Sequence, residues 1–516
     1  MRPRLEIRGS KAPATGPWQD AVVRGLQPRR PSISHRDTCQ THMKRYQALA
    51  DDIARSIRQG LLRPGQRLPS VRQASAARKL SPATVFQAYY LLESQGLVRP
   101  RARSGYYVSE HVHALLPEPD AASAPDGESR AVDISALVFE VLESAMARDI
   151  VPLGSAFMSP SLFPLAKLGR AMAHEAVHLE PRSTVDDLTP GNAELRRHIA
   201  LRYRIGAVEL GINDLVVTNG AIEALNLCIA ATTRPGDAVL VESPCFYVAL
   251  QTLERHGLHA VEVPTHPREG VELGALDAAI RRHAPKACWL MTSFQNPLGA
   301  SMPEAKKREL VELLARHELP LIEDDVYGEL HFGARRPLPA KAFDTRGLVL
   351  HCSSFSKTLA PGYRIGWAAP GRYAQRVARL KLTNTLATCV PAQLAIARYL
   401  QRGGYERHLR GLRQTLRLQQ AAYLEAVARY FPGGTRVTRP DGGYFLWIEL
   451  PPDRDALALQ RQAAQRGISI APGPIFSAHR GHGHCLRLNY GHALDARVDA
   501  ALKVLGELSA ARSAPA

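Results

Sequence analysis

A chain of 516 residues is too long for one ordinary domain and long enough to bury two or three separate cores. Its composition, 45% apolar and 22% charged, is globular, and no apolar run approaches the length needed to span a bilayer, so membrane-spanning classes are set aside. The net charge of +18 is concentrated at the front: residues 1–109 carry 20 Lys/Arg against 6 Asp/Glu, leaving only +4 for residues 110–516. A front end that basic points to a polyanion partner, a solvated basic tail being the plain alternative.

The seven cysteines, Cys39, Cys228, Cys245, Cys288, Cys352, Cys389 and Cys485, are scattered without a C-x-x-C pair or zinc-like spacing. That spacing predicts reduced thiols, a cytoplasmic location and no structural metal. The Arg/Pro-rich start lacks the apolar stretch of a signal peptide.

Residues 1–42 are rich in Arg, Pro, Ser and Gly without sustained apolar period and are expected to be disordered. Met43 directly precedes the first periodic segment and is the expected true start. Residues 43–110 then read as one domain. Leu49, Ile53 and Ile57 recur at helical spacing up to Gly60. Ser70 is placed to cap a second helix beginning at Val71. Ser81-Pro82 opens a third, with serine as cap and proline at the first helical position. Two short strand-like runs follow around the Ser104-Gly105 turn, with Arg101 and Arg103 at its tip. Three helices and a basic hairpin make a winged helix-turn-helix. Its third helix would offer Thr84 and Gln87 to base edges in the major groove, while Arg72, Arg101 and Arg103 hold phosphates or a minor groove. The runs Arg63-Pro64-Gly65-Gln66-Arg67-Leu68-Pro69-Ser70-Val71-Arg72, Ser81-Pro82-Ala83-Thr84-Val85 and Arg103-Ser104-Gly105-Tyr106-Tyr107-Val108 resemble the DNA-binding half of GntR-type bacterial regulators. By that resemblance Arg67 and Gly105 join the DNA-contacting set. Pro82 departs from it, standing where family members often carry an arginine.

Residues 111–131, rich in Pro, Ala, Ser, Asp and Gly, read as an interdomain linker. Residues 132–512 read as a second, larger domain that begins with helical periodicity from Val132 to Arg148. Within it, β-branched runs alternate with helical stretches: Leu215-Val216-Val217-Thr218 precedes a helix from Ile222 to Ala231, and Ala238–Val241 and Pro320–Ile322 are further strands. That alternation implies an α/β fold, a mostly parallel sheet with helices on both faces, which takes ligands at the carboxyl ends of its strands.

Polar groups fall where those ends should lie. Gly220-Ala221-Ile222 joins a strand to a helix and could receive a phosphate on backbone N–H groups. Asn296-Pro297-Leu298-Gly299 is a turn by composition. Glu323-Asp324-Asp325 follows a strand. In Ser353-Ser354-Phe355-Ser356-Lys357-Thr358-Leu359-Ala360-Pro361-Gly362-Tyr363-Arg364, a lysine among hydroxyl residues with an arginine seven positions on could hold a phosphorylated aldehyde.

In this order the segments resemble fold-type I pyridoxal 5'-phosphate (PLP) aminotransferases over roughly residues 150–510, with a small C-terminal α/β subdomain. The resemblance implies PLP as cofactor and Lys357 as the Schiff-base lysine. It pairs Asp324 with the pyridinium nitrogen and sets Tyr327 and Asn296 on the ring hydroxyl. Phe246 stacks on the ring, and Gly220, Ala221, Ile222, Ser354, Ser356 and Arg364 surround the phosphate. Arg487, in Leu486-Arg487-Leu488-Asn489-Tyr490, would bind the carboxylate of an amino compound. No tyrosine lies between Glu180 and Gly191, where many relatives carry one that reaches the partner subunit's phosphate.

A winged helix joined to an aminotransferase-like body resembles the MocR subgroup of GntR regulators. The resemblance implies a cytoplasmic, bacterial, head-to-tail homodimer bound to double-stranded DNA. It also implies that PLP, or an amino compound meeting it through an aldimine at Lys357, is the signal. The competing expectation is a catalytically active aminotransferase with a fused DNA-binding domain.

Overall fold

The computed structural model describes residues 45–94, 97–101, 104–109, 115–143, 149–186 and 188–511. The expected disordered extension, the Met43 start and Arg103 lie outside them.

The front domain is built by local chemistry. Helices span Arg45–Arg58, Val71–Arg78 and Pro82–Ser94, and strands Val98–Arg101 and Gly105–Val108 pair antiparallel, Val98 opposite Val108. Ser70 closes a reciprocal capping box: its Oγ accepts from the Gln73 N–H at 3.2 Å, and the Gln73 side chain accepts from the Ser70 N–H at 2.9 Å. Ser81 Oγ accepts from the Thr84 N–H at 3.2 Å and starts the third helix. Leu49, Ile53 and Ile57 are buried with Leu68, Val85, Tyr89, Leu92, Val98 and Val108 in one small core.

Residues 115–131 are not a free tether. The Val437 N–H donates to the Pro117 carbonyl, Arg268 pairs with Glu118, Ser123 Oγ donates to the Ser243 carbonyl at 2.6 Å, and Ser129–Ala131 adds an antiparallel edge strand to His259–His266. Linker-like composition reports local stiffness and polarity; here the backbone groups find partners hundreds of residues away.

The large sheet runs, strand by strand, Ser129–Ala131, His259–His266, Ala238–Ser243, Ala287–Leu290, Leu321–Asp324, Val349–Ser354, Ile365–Ala369 and Val216–Asn219. The four pairings from His259–His266 to Val349–Ser354 are parallel, and Ile365–Ala369 runs against both its neighbours. Its parallel strands are buried nearly throughout, with polar residues gathered mainly toward their carboxyl ends, as expected of a sheet covered on both faces. A second sheet, Arg436–Val437, Phe445–Glu449, Cys485–Asn489 and Ala471–Pro472, is antiparallel and forms a smaller C-terminal unit.

Candidate functional site

One edge of the large sheet collects the carboxyl ends of its parallel strands. Asn219-Gly220, Asp324 and the Ser354–Lys357 turn all lie there. Arg364 joins them because it precedes Ile365–Ala369, which runs the opposite way.

Gly220, with φ of 80°, is the N-cap of helix Ala221–Thr232. Ala221 and Ile222 occupy the first turn, whose N–H groups have no acceptor within a helix. Arg364 Nη2 donates to the Asn219 carbonyl at 2.9 Å, and its Nη1 lies 3.5 Å from Ser356 Oγ. Ser354 Oγ accepts from the Ser356 N–H at 3.3 Å. Donors from three chain segments therefore converge on one small region. A Cβ on Gly220 would lie 2.2 Å from Arg364 Nη2 in a backbone conformation disfavoured for other residues. Gly220→Ala is expected to lower stability by about 1–3 kcal/mol from the backbone alone, since φ of 80° with ψ of 174° is a region only glycine adopts readily. It should also displace Arg364; chemical denaturation, and retention of PLP after dialysis, check this.

Deeper in, Asp324 Oδ1, Asn296 Nδ2 and Arg487 Nε are buried without a hydrogen-bond partner among the described residues, as is Asp325 Oδ1 beside them. Burial, then the neighbouring charge of Asp325, push the Asp324 carboxyl up to about 7. The other two carboxylates of this triplet have protein partners: Glu323 accepts from Thr292 at 2.6 Å and meets His351 at 2.8 Å, and Asp325 pairs with Arg336. Asn296 is fully buried, and its Oδ1 accepts from Arg487 Nη1 at 2.8 Å. Arg487 Nη2 donates to the Gly154 carbonyl at 2.6 Å, and its guanidinium lies 4.2 Å over the Phe445 ring. Burial depresses its pKa.

Lys357 is partly buried. Its Nζ donates to the Ala156 carbonyl at 2.9 Å, 4.3 Å from the Phe157 ring centre and 5.7 Å from that of Tyr327. Desolvation, then the charge of Arg487, lower its pKa to about 7, against the opposing pull of Asp324. Tyr327 is buried edge-on to Tyr444 at 5.4 Å. Phe246, partly buried, stands at the N-terminus of helix Tyr247–Arg255, three residues beyond the carboxyl end of strand Ala238–Ser243.

Sequence reasoning missed the segment Leu153–Met158, which closes over these groups. Its carbonyls accept from Arg487, Lys357, Tyr444 and Asn489. The available signal was Gly154, whose Cβ would meet the Ile470 backbone at 2.5 Å.

In the front domain Arg67, Arg72, Gln87 and Arg101 are exposed. Arg101 lies 4.6 Å over the Tyr107 ring. Gly105, with φ of 102°, leaves room for Arg67, whose Nε would be 3.6 Å from a Cβ there. The Thr84 hydroxyl lies 2.8 Å from Ser81 Oγ.

Residues 45–108 match the family of bacterial regulatory proteins, gntR family, and residues 173–505 match aminotransferase class I and II. The chain belongs to the MocR subgroup of GntR-type regulators. Among curated relatives of this MocR chain, the uncharacterized HTH-type transcriptional regulator YdcR of Escherichia coli (strain K12) is 46% identical over 466 residues, 90% of this chain and 99% of that protein. YjiR of the same organism, another uncharacterized HTH-type transcriptional regulator, is 38% identical over 90% of this chain and 98% of its own length. Among solved structures, LysN, the alpha-aminoadipate aminotransferase of Thermus thermophilus complexed with N-(5'-phosphopyridoxyl)-L-leucine, superposes with a TM-score of 0.67 at 29% identity, covering 73% of this chain and 95% of that one. The MocR body is thus a fold-type I aminotransferase-like domain, with PLP as its cofactor. The unpartnered Asp324 oxygen, the low-pKa lysine and the donor cluster at Gly220 fit a group with a basic ring nitrogen, an aldehyde and a phosphate. Among the described residues no helix is long and apolar enough to cross a membrane.

Proposed function

We propose that PLP, or an amino compound exchanged onto it at Lys357, is the signal that sets the DNA affinity of this regulator. The observation that carries the reading is a desolvated lysine beside an unpartnered buried aspartate, in a chain whose residues 45–108 form a winged helix. Bound PLP supplies an aldehyde that condenses reversibly with primary amines. Lys357 provides the resident amine. Asp324 would accept from the ring nitrogen, Asn296 and Tyr327 would hold the ring hydroxyl, and Phe246 would lie against the ring. Gly220, Ala221, Ile222, Ser354, Ser356 and Arg364 hold the phosphate, and Arg487 receives a carboxylate. A carboxylate arriving there competes with the Gly154 carbonyl and Asn296 amide oxygen that Arg487 already holds. Ligand binding is thereby tied to the position of Leu153–Met158.

Regulation requires that the ligand prefer one of two protein arrangements. A tenfold change in operator affinity needs only about 1.4 kcal/mol of such preference. We take the working form to be a head-to-tail homodimer on two half-sites, with Arg67, Arg72, Arg101, Arg103 and Gly105 along the phosphate backbone and Thr84 and Gln87 toward the bases.

Lys357 attacks an aldehyde only when neutral. Its capture of PLP is therefore expected to rise as pH climbs through about 7 and to level off well below the ordinary lysine value of 10.5. Growth of visible absorbance after mixing, followed across pH, checks this.

The deciding experiment is binding of the purified protein to DNA just upstream of its own coding region, with and without PLP. PLP-dependent binding supports the regulator. Because Lys357, Asp324 and Arg487 are all present, the second reading is an aminotransferase with a fused DNA-binding domain. Sustained turnover with a 2-oxo acid, together with PLP-insensitive DNA binding, would establish that reading instead.

A further inference from the structure

The third helix of the front domain, Pro82–Ser94, has an unusual outer face for an element that meets DNA. Pro82, Phe86 and Tyr90 recur every four residues and form one exposed ridge, with Phe86 53% and Tyr90 61% accessible. Ala83 and Gln87, also exposed, form the ridge beside it. The opposite side, Val85, Ala88, Tyr89 and Leu92, is buried in the domain core. No lysine or arginine occurs between Lys79 and Arg99. The helix itself therefore cannot make the bidentate arginine or lysine contact that most often reads guanine. Its amide reader is the exposed Gln87, whose donor and acceptor match the pair that adenine presents in the major groove. Two large aromatic side chains standing in water mark a surface built to be covered. Exposed Arg72, Lys79, Arg99 and Arg101 on the flanking elements identify the cover as a polyanion.

We propose that this helix reads A·T base pairs by packing thymine methyl groups against Phe86 and Tyr90, with Gln87 bonded to adenine. The inference rests on the DNA-binding reading and specifies which bases it favours. Positive charge on the flanks supplies sequence-independent affinity; the uncharged ridge supplies discrimination.

The test selects duplexes from a random library with the full-length, PLP-loaded protein, then replaces each thymine in the selected site by deoxyuridine, which lacks only the methyl. The expected site is A·T-rich beneath the helix, and each contacted methyl removed weakens binding roughly fourfold, the worth of one buried methyl group. Phe86→Ala should bind the thymine and deoxyuridine duplexes more nearly alike, whereas Arg101→Ala should weaken both equally. A G·C-rich site, indifference of the wild-type protein to deoxyuridine, or full methyl discrimination by Phe86→Ala would each overturn the inference while leaving the regulator intact. If Phe86→Ala instead changes only the sedimentation of the protein, the ridge is a protein contact and the inference fails. Retention of no duplex at any salt concentration would overturn the regulator reading as well. The deoxyuridine arm needs no variant, so it decides even where a substitution disturbs folding.

Discussion

Lys357→Ala is expected to abolish the visible absorbance that PLP develops with the wild-type protein, and to leave no pyridoxyl label after borohydride reduction. The fold should survive, because the lysine is only partly buried and its Nζ is held by the Ala156 carbonyl, an acceptor that Tyr444 also serves. Desolvation and the charge of Arg487 disfavour its charged form by more than Asp324 favours it, so removing the amine forfeits no net charge stabilisation. DNA binding should persist but lose its response to PLP. A variant that kept the same yellow, reducible adduct would move the covalent site to another lysine.

The second large effect is expected from Arg487→Met. Arg487 has no exposed surface, and methionine keeps the length of its stem while removing the donors that satisfy the Gly154 carbonyl and the Asn296 amide oxygen. Leaving both acceptors buried and unpaired costs roughly 2–5 kcal/mol. Denaturant titration should show the loss. The ligand response should divide by chemistry: amines bearing a carboxylate should lose their effect on DNA affinity, and amines without one should keep theirs. Equal loss for both classes would make Arg487 a structural support rather than a carboxylate receiver.

What was legible in the chain was local or repeated. The Ser70 and Ser81-Pro82 caps act within four residues, and each begins its helix where the serine stands. Gly220, Asp324 and the lysine turn sit at strand ends, which apolar runs followed by polar residues mark out well. The groups that were hidden owe their roles to distant partners. Ala156 and Gly154 serve through backbone carbonyls, which leave no trace in side-chain type, and their donors Lys357 and Arg487 lie 201 and 333 residues further on. Residues 115–131 looked like a spacer because proline and small polar residues suit one, and nothing local announces that the edge of the large sheet will accept Ser129–Ala131 as a strand.

That same stretch has a mechanical consequence. Near its start it is fastened to the small C-terminal unit: Arg439 donates to the Leu116 carbonyl, the Val437 N–H to the Pro117 carbonyl, and Arg436 pairs with Asp120 at 2.7 Å. From Ser123 onward it is fastened to the large sheet. Glu118 already bridges the two, pairing with Arg268 beside the large sheet and lying 3.7 Å from Arg439 of the small unit. The stretch is therefore a strap stitched to both units, so any change in the angle between them must open one of these bonds or be carried along the strap.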